Sequence, residues 1–482
     1  MERIEVTHTA SLHAPHPGLG DTLTLQDKAH VGGEGAVYFT TDGRHALKVF
    51  HQQHPGLEQH LTRIMDRLRI LTDEQERFIL PPLALLNRFD GQPRQGFVMR
   101  RVPPRYQEAI NLILGPEQAA AQFQRGRTWG SYLLAARSIA NSIVVLHAMG
   151  FAHSDIHYKN FLVDINEGDA VMMEADGIVT PGYSKARVAG LKGFMAPEIL
   201  TRGAEPSEKT DRHSLAVLAL HTLLFRNPLE PLIEYADDPQ ESDRLGWGAQ
   251  ALFSEHPGNP SHRPANLGRP LYKRGVLSYR MLTPELQQLA ERAVLETGLH
   301  DPASRPAAKE WRDALAKSID QLLNCPHCGQ HFPYPHWLDP PPRRACPFCG
   351  QRCQRPLPAV ISLLEERRTG NFTPIRRKLV LGNGSNIFAD MTEPHRFPPR
   401  SRTSTKPIGH VEWDPRGAYR IVNDGNTTWI SITNSASTPR ASVLQGSQRL
   451  SATSGQSIPL NAHALIRFGP DQRAAVVDDP GG

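Results

Sequence analysis

At 482 residues the chain is too long for one hydrophobic core, so two to four domains are expected. Lys+Arg 54 against Asp+Glu 49 gives +5, with no long basic run and no aromatic-interleaved basic stripe, which argues against nucleic acid as a partner. A hydrophobic fraction of 39% without an apolar stretch of about 18 residues excludes a membrane span; with a polar N-terminus and all five cysteines between Cys325 and Cys353, the expectation is a cytoplasmic protein.

Residues 22–50 read as paired strands: Thr22-Leu23-Thr24-Leu25, then His30-Val31-Gly32-Gly33-Glu34-Gly35-Ala36-Val37-Tyr38, a turn at Asp42-Gly43, and Ala46-Leu47-Lys48-Val49-Phe50. Glycines between strands let backbone amides approach phosphates, and a lysine in the next strand can pair with them. Residues 57–71 carry Leu57, Leu61, Ile64, Met65, Leu68 and Leu71 at helical spacing. This helix should bring an acid to Lys48; Glu58 and Asp66 both qualify by position, and Glu58 is preferred. Strands follow at 78–86 and 96–102, the second ending at Pro103-Pro104, where a hinge to a larger lobe is expected, with Met99 behind an adenine and the backbone of 100–102 bonding to it.

A helix with Ala136, Ile139, Ala140, Ile143, Val144 and His147 on one face leads into His153-Ser154-Asp155-Ile156-His157-Tyr158-Lys159-Asn160. The face suggests that His147 is a packed core histidine. A carboxylate and a carboxamide five positions apart suit phosphoryl transfer: Asp155 can take or orient the proton of an attacking hydroxyl, and Asn160 can reach a metal ion on nucleotide phosphates. A second metal ligand belongs in Glu174-Ala175-Asp176-Gly177; alignment on the strand end favours Glu174, and alignment on the glycine favours Asp176. Beyond Ala196-Pro197-Glu198, an apolar helix opens at Asp211. The proline-rich stretch 227–275 reads as a surface insertion, and helices are expected over 282–296 and from Trp311 to Leu322.

The ordered series of Gly-rich hairpin, Ala-x-Lys, His-x-Asp-x4-Asn, acid-x-x-Gly, Ala-Pro-Glu, helix-opening Asp and late Arg resembles the protein kinase fold over roughly residues 20–320, in the manner of a bacterial eukaryotic-like Ser/Thr kinase. The resemblance implies an ATP site walled by Gly32, Gly33, Gly35, Val37, Ala46, Met99 and Arg101, with Lys48 on the phosphates. It implies Asp155 as catalytic base, Mg²⁺ or Mn²⁺ on Asn160 with Glu174 or Asp176, a Glu198–Arg305 ion pair, and Asp211 bracing the catalytic loop. The sequence also departs from the family. His30 replaces the first glycine, and Ser154 replaces the arginine that binds an activation-loop phosphate. His157 and Leu191 replace the lysine and threonine around the hydroxyl substrate. These departures keep a nucleotide-binding pseudokinase scaffold as the alternative function.

Cys325-Pro326-His327-Cys328-Gly329 and Cys346-Pro347-Phe348-Cys349-Gly350 are paired knuckles whose Cys325, Cys328, Cys346 and Cys349 match a closed, structural Zn²⁺ site, leaving Cys353 spare. So few residues cannot build a core, so metal binding should supply the folding energy. Kinase plus knuckle resembles a subgroup associated with tellurite-resistance gene clusters, which implies a protein substrate and, as partners, a metal-dependent protein phosphatase and a von Willebrand-type A domain protein. Residues 359–479 alternate short strand-like runs with Gly, Asn and Pro, an all-β sandwich pattern that resembles a forkhead-associated (FHA) domain. Its phosphothreonine-reading arginine and serine are replaced by Asn383 and Pro407; His410 and Asn426 match, and residues 401–405 read as a mobile loop. The expected architecture is therefore multidomain: an α+β bilobal kinase fold at 1–320 (N-lobe about 20–100, C-lobe about 101–320), a small four-cysteine zinc ribbon at 321–356 and an FHA-like β-sandwich at 357–482.

Overall fold

The structure, a computed structural model, describes residues 8–13, 18–182, 190–295, 297–338, 345–352, 356–368, 371–394, 396, 398, 404–415, 417–433, 448–470 and 472–478. Cys353 and residues 401–403 lie outside the described residues. The first lobe holds strands β1 (His8–His13), β2 (Thr22–Val31), β3 (Gly35–Thr40), β4 (His45–Phe50), β5 (Ala84–Phe89), β6 (Gln92–Pro93) and β7 (Gly96–Arg100). They form one sheet in the order β1-β2-β3-β4-β7-β5-β6. β1 pairs antiparallel with both β2 and β5, so the sheet closes on itself. This strand is absent from the sequence expectation: only Ala10 and Leu12 point inward, and the anchoring comes from His8, which bonds Asp90 at 2.6 Å and stacks on Phe89. Helix α1 (Leu57–Leu68) packs beside the sheet through Leu57, Leu61, Ile64 and Leu68.

The second lobe is built on α2 (Trp129–Ala148), α3 (Glu208–Leu224) and α4 (Ala308–Ile319), which pack on one another. α3 is buried on every side from Asp211 to Leu224 apart from Arg212, so its apolar run reads as a central helix. An antiparallel hairpin, Phe161–Asp164 with Asp169–Met172, carries the loop between α2 and the cleft. Residues 227–275 do not form a surface insertion throughout. Leu229, Ala251 and Phe253 join the lobe's core, and Glu255 is buried against Arg226 while accepting from the Tyr279 amide at 3.0 Å. Proline density signals the lack of regular structure there but not its burial.

The cysteine knuckles do not stand apart either. Cys325, Phe332, Cys346 and Phe348 belong to the same buried cluster as the lobe helices. Gln330 accepts from the Trp129 amide at 2.9 Å, and the Leu271 and Tyr272 amides each donate to the second knuckle at 2.9 Å. The C-terminal residues form two sheets around their own core. One runs Asn371–Leu381, Ala359–Arg368, Ala474–Val477, Leu465–Arg467, Trp429–Thr433, Gln448–Ala452; the other runs Asn386–Ile387, Gly409–Asp414, Ala418–Asn423, Ser457–Pro459. This is an all-β sandwich. Among the described residues, no helix is long and apolar enough to cross a membrane.

Candidate active site

A cleft of about 840 Å³ lies between the two lobes, a volume in the range of small-molecule sites. Its roof is the glycine turn, closed by a Gly32 N–H bond to the Gly35 carbonyl at 2.8 Å. A Cβ on Gly33 would meet nothing within 4 Å, so room is left for a ligand, whereas one on Gly35 would sit 2.4 Å from the Val49 carbonyl oxygen. Gly35 is thus required by strand packing and Gly33 is not. Val37, Ala46, Met99 and Leu162 line the apolar part of the cleft. Arg101 also lines it, but its amide donates to the Arg44 carbonyl at 2.9 Å and its guanidinium lies 4.1 Å from the Phe39 ring centre, so that N–H is not turned to a base.

Lys48 stands on β4 opposite Phe97, and its ammonium is buried. The two oxygens of Asp176 accept from it at 2.9 and 3.0 Å, and Glu34 of the glycine turn is 3.8 Å away. Neither acid proposed on α1 reaches the lysine. Glu58 is exposed, and Asp66 is exposed and pairs with Arg69 at 3.5 Å. The reason is angular: the buried face of α1 is set by Leu57, Leu61, Ile64 and Leu68, and a residue one step from Leu57 is rotated about 100° off that face.

Asp155 and Asn160 meet in the cleft. The Asn160 amide donates to the Asp155 carbonyl at 2.7 Å and to its carboxylate at 3.2 Å. His157 accepts the Lys159 N–H on Nδ1 at 3.0 Å, which fixes the tautomer with Nε2–H donating to Asp155 Oδ2 at 2.9 Å. The Leu191 N–H donates to Oδ1 at 2.8 Å. At the two departures from the family pattern, His157 and Leu191, the donors to Asp155 are an imidazole and a backbone amide. Burial alone would raise the Asp155 carboxyl; the His157 hydrogen bond, the electrostatic influence of the His157 and His153 rings, and the Asn160 hydrogen bond outweigh it and hold it below the usual carboxylate range.

Glu174 and Asp176 divide. Glu174, at φ 56 in the left-handed region, lines the cleft beside Asp155 and Asn160, while Asp176 is tied to Lys48. Burial pushes the Glu174 carboxyl up; Lys48 opposes this and Asp176 reinforces it. Half-buried carboxylates facing one cleft with a buried carboxamide are a donor set that suits a hard divalent cation, and Asn160 and Glu174 are the residues that could hold it there. Asp211 accepts from the His153 amide at 3.0 Å and from His147 Nε2 at 2.9 Å, which ties the loop carrying Asp155 and Asn160 to α3. His147 is accordingly no mere packing residue. Glu198 and Arg305 form a two-point pair at 2.7 and 2.8 Å, with the Arg305 side chain fully buried.

The sulfurs of Cys325, Cys328, Cys346 and Cys349 lie within 4.8 Å of one another, with Cys325–Cys349 and Cys328–Cys346 at 3.7 Å. A tetrahedral Zn²⁺ with bonds of about 2.3 Å separates its sulfurs by about 3.8 Å, so the four thiols fit that ion. Gly329 and Gly350, at φ +71 and +78, donate to the Cys325 and Cys346 carbonyls at 2.9 Å and close the two turns.

Residues 128–309 match the family model of the protein kinase domain, so such a domain is present. A serine/threonine-protein kinase of Toxoplasma gondii, WNG1, is 27% identical over 180 residues, covering 36% of this chain and 27% of that protein. The chain thus matches about a quarter of the length of this curated relative. The family match falls in the second lobe; it includes Asp155, Asn160, Glu174, Asp176, Glu198, Asp211 and Arg305 and begins after Lys48.

Proposed function

We propose that the chain is an ATP- and Mg²⁺-dependent Ser/Thr protein kinase that phosphorylates a partner protein in a bacterial signalling or stress-response system. The observation that carries this is the convergence of Lys48, Asp155, Asn160 and Glu174 on one cleft roofed by glycines. Lys48 binds phosphate oxygens, exchanging part of its contact with Asp176 for the nucleotide. Asp155 accepts the substrate hydroxyl proton, oriented by His157 and Asn160. A divalent cation on Asn160 and Glu174 would neutralise the charge of the transferred phosphoryl group. Asp176, not Glu58, holds Lys48 in register.

In the same proposal the zinc site is structural, because all four of its ligands are cysteine sulfurs. The C-terminal sandwich is an FHA-like module that binds a protein surface without reading phosphothreonine. In support, Asn383 accepts the Trp413 amide at 2.9 Å, and His410 is tied to Asp424 at 2.6 Å and Glu412 at 3.2 Å. By the resemblance above, its partners are a metal-dependent phosphatase and a von Willebrand-type A domain protein. The test is transfer of label from γ-labelled ATP. Wild type should transfer and Asp155→Ala should not; a labelled Asp155→Ala product, or nucleotide binding without any transfer by wild type, leaves the scaffold reading in place.

A further inference from the structure

Resting on the kinase reading, we propose that the Asn227–Ala249 region, through Trp247 and Asn227, holds the catalytic carboxylate in place and so takes over the work that a phosphate on the activation segment would otherwise do. The position beside Asp155 that would carry a guanidinium for such a phosphate is Ser154, whose hydroxyl donates to the Gly177 carbonyl at 3.1 Å. Yet residues 190–195 are held firmly. The Leu191 N–H bonds Asp155 Oδ1 at 2.8 Å, and the Leu191 carbonyl accepts from the Phe194 and Met195 amides at 3.0 and 3.2 Å, which makes a tight turn.

Two anchors fix that turn. From α3, Ser214 Oγ donates to the Phe194 carbonyl at 2.7 Å. From the region that sequence reading treated as a surface insertion, Asn227 Nδ2 donates to the Gly193 carbonyl at 2.9 Å, while its Oδ1 accepts the Leu229 amide at 2.9 Å. The Trp247 ring covers the same glycine: a Cβ at Gly193 would come within 3.2 Å of the ring and 3.1 Å of Asn227. Gly193 at φ +87 is a position that only glycine fills without strain, so the close approach is built into the turn. Gly248, next to Trp247, packs on Thr201 of the following helix, and Lys192 pairs with Asp243. An unbroken series of contacts thus runs from Trp247 to Gly193, through the turn to the Leu191 amide, and on to Asp155. Trp247 and Asn227 are positioning residues; Asp155 is the catalytic one.

The test uses the full chain, purified and treated with a Ser/Thr phosphatase that is then removed. Amide hydrogen exchange of residues 190–195 reads the contact directly, whether or not phosphoryl transfer occurs. Protection of Leu191 should survive phosphatase treatment, fall on the order of tenfold in Trp247→Ala and return in Trp247→Phe. With casein and ATP, Trp247→Ala should lose about tenfold or more in kcat with the ATP KM within about twofold, as expected when a reacting group is misplaced without disturbing binding. Asn227→Ala, which keeps the ring, gives the same reading should Trp247→Ala fail to fold. Equal protection in wild type and both variants, or loss of protection on phosphatase treatment, overturns the inference. A wild type that is protected at Leu191 but transfers nothing counts against the kinase reading alone.

Discussion

Asp155 stays ionised in a largely buried loop because donors reach both of its oxygens: Leu191 N–H on one, His157 and Asn160 on the other. Its carboxyl is held below the ordinary range, so its ionisation contributes stability that is present above the ordinary carboxylate pKa and is lost as pH falls through the lowered one. Removing the imidazole takes away the leading influence that offsets burial and leaves Asn160, His153 and the Leu191 amide to oppose it in part. His157→Ala should therefore shift the acid limb of the pH–rate profile to higher pH, while His157→Gln, which keeps a donor, should shift it less; identical profiles would show that His157 does not tune the acid. Glu174 has the opposite sign. Burial raises its carboxyl, so stability falls as pH climbs from the ordinary carboxylate range through the raised value. Glu174→Gln should raise the melting temperature of the ligand-free protein at pH 8 and reduce the further rise produced by Mg²⁺ with ATP, both measurable by thermal shift.

Among elements, the helix Pro197–Arg202 is held to the loop before α4 by the ion pair of Glu198 with Arg305. Arg305 also donates to the Gly298 carbonyl at 2.6 Å and to the Lys209 carbonyl at 3.0 Å, so its charge is fully engaged only while Glu198 is present. Glu198→Ala leaves a fully buried guanidinium without its counter-charge and should cost about 3–5 kcal/mol in denaturant unfolding, with a correspondingly lower Tm. The cysteine knuckles share the core of the α2–α4 lobe, with Phe348 packed edge-on against Phe123. Metal removal should therefore lower the melting of the kinase lobe itself. Cys346→Ser is expected to lose stoichiometric zinc and move the main calorimetric transition down; a separate small transition with the main one unmoved would mean an independent ribbon.

Over the whole molecule, the sandwich is tied to the end of the kinase lobe by Arg377, which donates to Asp320 at 2.6 Å and to Asp390 at 2.8 Å, with both carboxylates buried. The Val380 amide adds a bond to the Asp320 carbonyl at 2.9 Å. The two acids hold the Arg377 guanidinium well above its usual value despite burial, so the charge persists at every working pH. Arg377→Leu removes the guanidinium shared by two buried carboxylates, and about 3–5 kcal/mol should be lost. Because the sandwich keeps its own core, unfolding in that variant should split into two transitions; a single transition at the wild-type temperature would show that the bridge does not couple the units.

Local pattern in the amino-acid sequence determined the parts that depend on neighbours in the chain: the glycine turn and Lys48 strand, the Asp155–Asn160 loop, the paired cysteine knuckles and the alternating strands of the tail. Period and spacing are properties of a short segment and survive without knowledge of what packs against it. Partnership between distant segments was decided only on folding. Asp176 rather than Glu58 meets Lys48 because the angular position of α1 is set by which of its faces is buried. His147 reaches Asp211 because two helix ends separated by 64 residues converge. The β1 strand joins β2 and β5 through a histidine contact that no hydrophobic alternation announces, and Trp247 comes to lie over Gly193 from a stretch whose prolines suggested only exposed loop. In each case the contact is long-range, and it depends on a distant partner that compensates groups whose burial alone would be unfavourable or whose role is ambiguous in sequence, which local periodicity does not encode.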